Sequence, residues 1–365
     1  YKRQLQSGAN ILDDAAAMAR ADGAGMLGHQ AGFAAQVVEG WHISRELELP
    51  WSKPGSVAVL GMGGSAIGAD LVKGIWSDRI TAPVEVLRGY DLPAWVGPDT
   101  LVVASSRSGA TEETLRQLET ALARRCPVVC VTAGGALANV ARAARLPLAL
   151  VPDRGSPRVA LGWSLGIVAG ILERVGLLEL DEAEIEAGVA AATAADARCA
   201  PHVPTAENPA KRLAWSLVDR FVLVSGAGFL APVARRWKTQ LNENSKTTAV
   251  FEELPEASHN TVVGFEQPES LRDHLAVILL RSELEHPRNA LRSQLVADVM
   301  DAGIIWHQTV ETGGEGRLGH ALAGVVMGDY VSVYTAFMYA VDPSPIVAIE
   351  HIKEQLALAD QAGPE

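Results

Sequence analysis

Three hydroxyl side chains, Ser106, Ser108 and Thr111, fall in one short segment, with Gly109 among them and Glu112 opening a helix-like stretch. Hydroxyls donate to anionic oxygen, glycine lets backbone approach a ligand closely, and the first N–H groups of a helix lack intrahelical acceptors. Together they make a cradle for one phosphate. The segment has neither the lysine of a Walker A loop nor the glycine spacing of a dinucleotide fingerprint, which favours a phosphomonoester over a nucleotide. The same hydroxyls would also serve as ordinary helix caps, and the segment alone leaves both roles open.

A second glycine-rich turn, Gly61-Met62-Gly63-Gly64-Ser65-Ala66, fits the looser G-x-G-x-x-A form of the dinucleotide fingerprint, and Glu85 follows at roughly the separation of a ribose-binding acid. Glu85 lies inside a short apolar run, however, not at its end. The glycines suit equally well a backbone laid against a ligand at the same sheet edge as the hydroxyl loop.

Loops of this kind work at the carboxyl ends of parallel strands, and the flanking residues supply such strands. Residues 56–60 form a β-branched run before the glycine turn and the helix-like 66–76. A possible short strand follows at 84–87. Residues 100–104 precede the hydroxyl loop and the helical 112–125, and residues 127–132 precede Gly134-Gly135 and the helical 137–145. Ahead of them, residues 9–48 read as one or two helices that pack on something else. After a helical stretch at 181–198 and a proline-bearing joint at 201–209, the same grammar returns. Residues 221–225 run into Gly226-Ala227-Gly228 and a helix extending through Asn244, and residues 275–280 and 303–308 supply further strands. Each half also holds a long apolar helix, at 162–175 and 321–340. The expectation is an α/β fold of two doubly wound parallel sheets, related by duplication and split near residue 200 into units 1–200 and 201–365. Two unrelated α/β domains are the alternative.

The chain has 365 residues, 48% hydrophobic and 20% charged, which excludes disorder and coiled coil. Its formal charge of −12 repels polyanions, so nucleic acid is not an expected partner, although a local nest of N–H groups can still hold one phosphate. Cys126, Cys130 and Cys199 have no metal-type spacing and read as buried apolar groups, with neither a disulfide framework nor a structural metal expected. The chain opens at Tyr1 without an initiator Met, shows no signal-peptide core, and has no uninterrupted apolar run near the ~20 residues of a membrane span. A cytoplasmic protein without membrane contact, lacking a few leading residues, is expected.

Seven segments taken jointly resemble one family. They are Gly61-Met62-Gly63-Gly64-Ser65, the run from Ser106 through Thr114, Pro157-Arg158, Asn242-Glu243-Asn244-Ser245-Lys246, the run from Glu253 through Asn260, Gly328-Asp329-Tyr330 and Asp342-Pro343-Ser344-Pro345. In this order, across residues 40–356, they are similar to the motifs of the bifunctional phosphoglucose/phosphomannose isomerases, two-domain members of the sugar isomerase (SIS) superfamily. The resemblance implies an aldose-ketose isomerase that interconverts glucose 6-phosphate or mannose 6-phosphate with fructose 6-phosphate through a cis-enediolate. It implies no metal or other cofactor, and a homodimer whose site draws on a second subunit. Ser106, Ser108 and Thr111 match the phosphate-binding hydroxyls, joined by Gly64 and Ser65. Glu243 matches the general base, His259 the ring-opening residue, Arg158 the cation beside the enediolate, and Lys353 a second residue near the ring oxygen.

Each of these has a plainer possibility. Glu243 would otherwise be a helix-end carboxylate, with Glu252, Glu253 and Glu256 as neighbouring substitutes. His259 would be a turn histidine, Arg158 would pair with an acid such as Asp153, and Lys353 would be a solvated lysine on the last helix. The sequence also departs from the family, which usually carries an aromatic residue where Arg107 stands, an amide where Ala110 stands and a threonine where Ser344 stands. Those departures keep two other readings in view: a non-catalytic sugar-phosphate-binding regulator, and an isomerase of another hexose phosphate, amino sugars included.

Overall fold

The computed structural model describes residues 10–153 and 155–362. Strands β1 (Ser56–Leu60), β2 (Val84–Leu87), β3 (Thr100–Ser105), β4 (Val128–Thr132) and β5 (Leu148–Leu150) form one parallel sheet in the order β2-β1-β3-β4-β5. Strands β6 (Phe221–Ala227), β7 (Ala249–Leu254), β8 (Leu275–Arg281) and β9 (Trp306–Glu311) form a second, in the order β7-β6-β8-β9. The second order repeats the first with β6 in the place of β1 and β8 in the place of β3. Both sheets are parallel throughout, and the inner strands β1, β3, β4, β6 and β8 carry the nearly unbroken apolar runs of strands covered on both faces.

The thirteen α-helices of the described residues are α1 (Ala15–Ala21), α2 (Met26–Ala31), α3 (Phe33–Arg45), α4 (Gly63–Ile75), α5 (Glu112–Ala123), α6 (Gly135–Ala143), α7 (Leu161–Arg174), α8 (Glu182–Cys199), α9 (Pro209–Leu217), α10 (Ala231–Gln240), α11 (Pro287–Ala302), α12 (Gly316–Met338) and α13 (Val347–Ala362). Alternation along the strands sorts them into layers. Val57, Val59, Leu101 and Val103 face one apolar cluster, while Ala58, Leu60, Val102 and Ala104 face another that contains Leu118 of α5 and Leu137 of α6. In the second sheet Val222, Val224 and Ile278 join the same cluster as Val57, and Leu223 and Val277 face Val296 and Met300 of α11. One central core therefore joins both sheets, with α3, α4, α7, α8, α10 and α12 between them.

Close helix contact tightens that core. A Cβ on Gly166 of α7 would lie 2.3 Å from the Val37 carbonyl oxygen of α3, and one on Gly40 would lie 2.6 Å from the Trp163 carbonyl. Helix α12 is long and apolar enough to cross a membrane by length and composition, although Asp329 interrupts its apolar run. Here 94% of its apolar window is buried inside the protein, against α8, α9 and α10.

Strands β5 and β7 and helices α9 and α11 have no counterpart in the sequence reading, and three further elements differ from it. The leading segment forms three helices. The helix expected to run through Asn244 leaves α geometry at Gln240 and continues as a π-turn, Leu241–Ser245. The last strand lies at Trp306–Glu311, three residues later than expected, because Gly303 and Ile304 form the turn that ends α11.

Candidate active site

Two elements from opposite halves meet at Arg158 and Glu243. Arg158 lies on a single 3₁₀ turn, Pro157–Val159, immediately before α7, and Glu243 lies in the π-turn after α10. A π-turn opens the helix by one residue, a geometry often found at functional positions. Here it aims the Glu243 carboxylate at Arg158, with Oε2 3.4 Å from Nε. The π-turn ends at Lys246 in left-handed backbone, and its Nζ donates to the carbonyls of Glu243 (2.8 Å), Asn244 (3.2 Å), Asp342 (3.1 Å) and Pro343 (3.0 Å). That lysine caps the exposed carbonyl end of the helix.

Arg158 is 4% exposed, and its guanidinium is held from several sides. Nη1 donates to Asn244 Oδ1 (2.8 Å) and to the carbonyls of Pro343 (2.9 Å) and Glu243 (3.3 Å), and Nη2 donates to the Ser344 carbonyl. Beneath it, Arg236 Nη2 donates to the Arg158 carbonyl (2.8 Å) and to Asp329 Oδ2 (2.7 Å). Asn244 Nδ2 donates to Ser332 Oγ (2.9 Å), whose hydroxyl donates to the Asp329 carbonyl (2.7 Å). These bonds occupy the terminal nitrogens. Nε, buried and without a hydrogen-bond acceptor among the described residues, is the donor left facing Glu243.

Burial raises the pKa of Glu243 above the ordinary carboxylate value, and Arg158, Arg236, Lys238 and Lys246 oppose the rise without cancelling it. A carboxylate whose proton affinity is raised in this way can take up and return a proton, while a fixed guanidinium stabilises negative charge that develops beside it. Asp153 is not the partner of Arg158: its carboxylate pairs with Arg107 at 3.2 Å, because β5 delivers residue 153 to the hydroxyl loop.

The hydroxyl loop follows β3. Ser106 Oγ and Thr111 Oγ1 are 2.8 Å apart, and Ser65 Oγ accepts from the Arg107 amide at 3.2 Å, so the two loops join. Thr111 occupies the position before α5 but makes no capping bond, since its hydroxyl is engaged with Ser106. The α5 terminus thus gets no side-chain acceptor from Thr111, contrary to the simple cap. Ser108 is exposed, and its Oγ accepts from the Ala110 amide at 3.3 Å. Gly109, at φ +66°, lies so close to the next loop that a Cβ would fall 1.9 Å from the Gly134 carbonyl oxygen. A pocket beside this loop is lined by Gly64, Ser65, Arg107, Pro157, Ala160 and Ser164, among others, and so connects the hydroxyl loop to the turn that bears Arg158.

The other nominated residues are not joined to this constellation. His259 is exposed at the end of a 3₁₀ turn, Glu256–His259, and Lys353 is exposed on α13; among the described residues neither makes a hydrogen bond or ion pair with Arg158 or Glu243. Glu85, weighed as a ribose acid, forms a surface ion pair with Lys73. Sequence reasoning gave no role to Asn244, Arg236, Asp329 or Lys246. The available signal was Asp329 itself, a charge in the middle of an apolar helix, which must find a buried cation.

The second sheet has a loop in the position of the hydroxyl loop, after β8. There Glu285, with a side chain 2% exposed, accepts from the Ser282 amide (2.6 Å) and from Arg281 Nε (2.9 Å).

Residues 206–356 match the family described as the bacterial phospho-glucose isomerase C-terminal SIS domain. A bifunctional phosphoglucose/phosphomannose isomerase from Caldicellulosiruptor bescii is 35% identical over 302 residues, which cover 82% of this chain and 89% of the relative. One from Aquifex aeolicus is 33% identical over 331 residues, covering 88% and 97%. The crystal structure of a hypothetical protein from Thermus thermophilus shares the fold at a TM-score of 0.76 and 16% identity, covering 99% of this chain and 96% of that one. The motif order, the two parallel sheets and the extent of these matches agree, and this chain belongs to the bifunctional phosphoglucose/phosphomannose isomerase family.

Proposed function

We propose that this protein interconverts glucose 6-phosphate and mannose 6-phosphate with fructose 6-phosphate. The observation that carries the proposal is the raised Glu243 carboxylate held 3.4 Å from the spare Nε of a buried arginine. Ser65, Ser106, Ser108 and Thr111, with the Gly64 backbone, bind the phosphate and fix the sugar's position. Ring opening moves a proton from the C1 hydroxyl to the ring oxygen, with His259 as acid and base and Lys353 near the ring oxygen. Glu243 then takes the C2 proton, holds it as the carboxylic acid and delivers it to C1, while a hydroxyl proton passes from O2 to O1. Arg158 Nε faces the oxygens of the intervening enediolate. Glucose and mannose 6-phosphates differ only at C2 and give the same planar enediolate, so one site serves both.

His259 and Lys353 would complete the site from a second copy in a homodimer. Both are exposed, and α13 presents Ile349, Ile352 and Leu356 to solvent at helical spacing, an apolar stripe suited to burial. The division into units 1–200 and 201–365 belongs to this reading, and a doubly charged sugar phosphate places the work in the cytoplasm.

A coupled assay on both aldose phosphates tests the proposal. Turnover should be measurable on each, and Glu243→Gln should lower kcat by about 10²- to 10⁴-fold. No product from either substrate, or a Gln variant equal to the parent, sinks it. A regulator that only binds would instead be stabilised by fructose 6-phosphate without any turnover.

A further inference from the structure

The geometry points to Arg107 as a specificity-determining residue that supplies the cation for the substrate's phosphate, with Asp153 holding its place until the phosphate arrives. This rests on the sugar phosphate reading above. The cradle of Ser65, Ser106, Ser108 and Thr111 is electrically neutral, and the chain around it carries −12. A phosphate dianion bound there needs a compensating charge. Arg107 is set between two of the cradle's hydroxyls, its amide is bonded to Ser65 Oγ, and it lines a small pocket together with Gly64, Ser65 and Pro157.

The pairing with Asp153 is lopsided. The Arg107 side chain is 10% exposed and the Asp153 side chain 82%. Returning an exposed carboxylate to water costs little, whereas stripping a buried guanidinium of its anion costs a great deal. Exchange of Asp153 for phosphate keeps Arg107 compensated throughout, and the guanidinium fork suits two oxygens of a phosphate dianion, which carries more charge than a carboxylate. An aromatic or aliphatic side chain at this position could do neither.

The test uses the full chain, with KM and kcat for glucose 6-phosphate and the inhibition constant for inorganic phosphate. Arg107→Gln should raise KM and the phosphate constant together by about tenfold or more, with the loss falling on KM rather than kcat, and Arg107→Lys should recover part of it. Asp153→Asn, on an exposed side chain that does not threaten the fold, should lower both constants, and should have no such effect once Arg107 is Gln. The inference is overturned if both single variants stay within about twofold of the parent, well under what a charge-assisted bond supplies, or if Asp153→Asn weakens phosphate binding. If the parent turns over neither aldose phosphate, the functional reading falls, and calorimetric titration of the same variants with inorganic phosphate decides the Arg107 inference separately.

Discussion

At Glu243, burial and pairing pull in opposite directions, and burial prevails. Two outcomes follow from that balance. The acidic limb of the kcat/KM profile should fall at a pH above the ordinary carboxylate range, because the base is lost as its carboxylate protonates. Stability should carry the opposite mark. A folded pKa above the unfolded one means that the folded chain holds more protons in the interval between them, so this residue's contribution is fully present below the unfolded value and is lost as pH rises through the folded one. Glu243→Gln should therefore melt higher than the parent at alkaline pH, with the gap closing toward acid; an unchanged gap across that range would contradict the assignment. Arg158 is a different case, because its terminal nitrogens are tied to three carbonyls and an amide while Nε lies 3.4 Å from the Glu243 carboxylate without a hydrogen bond to it. Lysine cannot reproduce that fork, and Arg158→Lys should cost about 10²-fold or more in kcat, with KM affected less.

The elements that position these groups are a 3₁₀ turn, a π-turn and the helices behind them. Asn244 is the hinge between the turns, accepting from Arg158 and donating to Ser332. Asn244→Ala should destabilise the protein by roughly 1–3 kcal/mol in chemical denaturation, since it strands two buried partners, and should lower kcat as Arg158 loosens. Helix α7 starts three residues after Arg158 and lies against α3 through Gly166, where a methyl group would meet the Val37 carbonyl at 2.3 Å. Gly166→Ala should cost about 1–3 kcal/mol, with a loss of activity that tracks the shift of α7. The central strands β1, β3, β4, β6 and β8 were legible in the sequence because both their faces are covered, which leaves nearly unbroken apolar runs, whereas the short β5 and the edge strand β7 gave no such run. The π-turn was not, since the change from α geometry at Gln240 alters no residue type and no apolar period. The pairing of Arg158 was weighed with Asp153, fifth before it in sequence, but β5 and α10 carry their acids to different arginines. That choice is made by topology, which local sequence does not encode.

Over the whole molecule, the site exists only because two halves share one core. Arg158 comes from the first and Glu243 from the second, and Arg236 and Asp329 bolt the join from below. The repeated strand order makes a duplicated α/β design visible, and the glycine turns Gly61-Met62-Gly63 and Gly226-Ala227-Gly228 announced it in the sequence. In the proposed dimer a second copy would bring His259 and Lys353 inward. If α13 meets a second copy, Ile352→Glu with Leu356→Glu should shift the sedimenting mass from dimer to monomer and remove activity while the far-ultraviolet spectrum stays that of the parent; a mass unaltered by the two charges would tell against it. Duplication also raises the question of how many phosphates one chain takes. After β8 the equivalent loop already contains an anion of its own: Glu285 fills it, bonded to the Ser282 amide and to Arg281. A carboxylate of the chain itself thus stands in the loop that corresponds by topology to the hydroxyl loop. A titration with sugar phosphate should therefore saturate at one equivalent per chain, one site in a molecule whose strand order occurs twice.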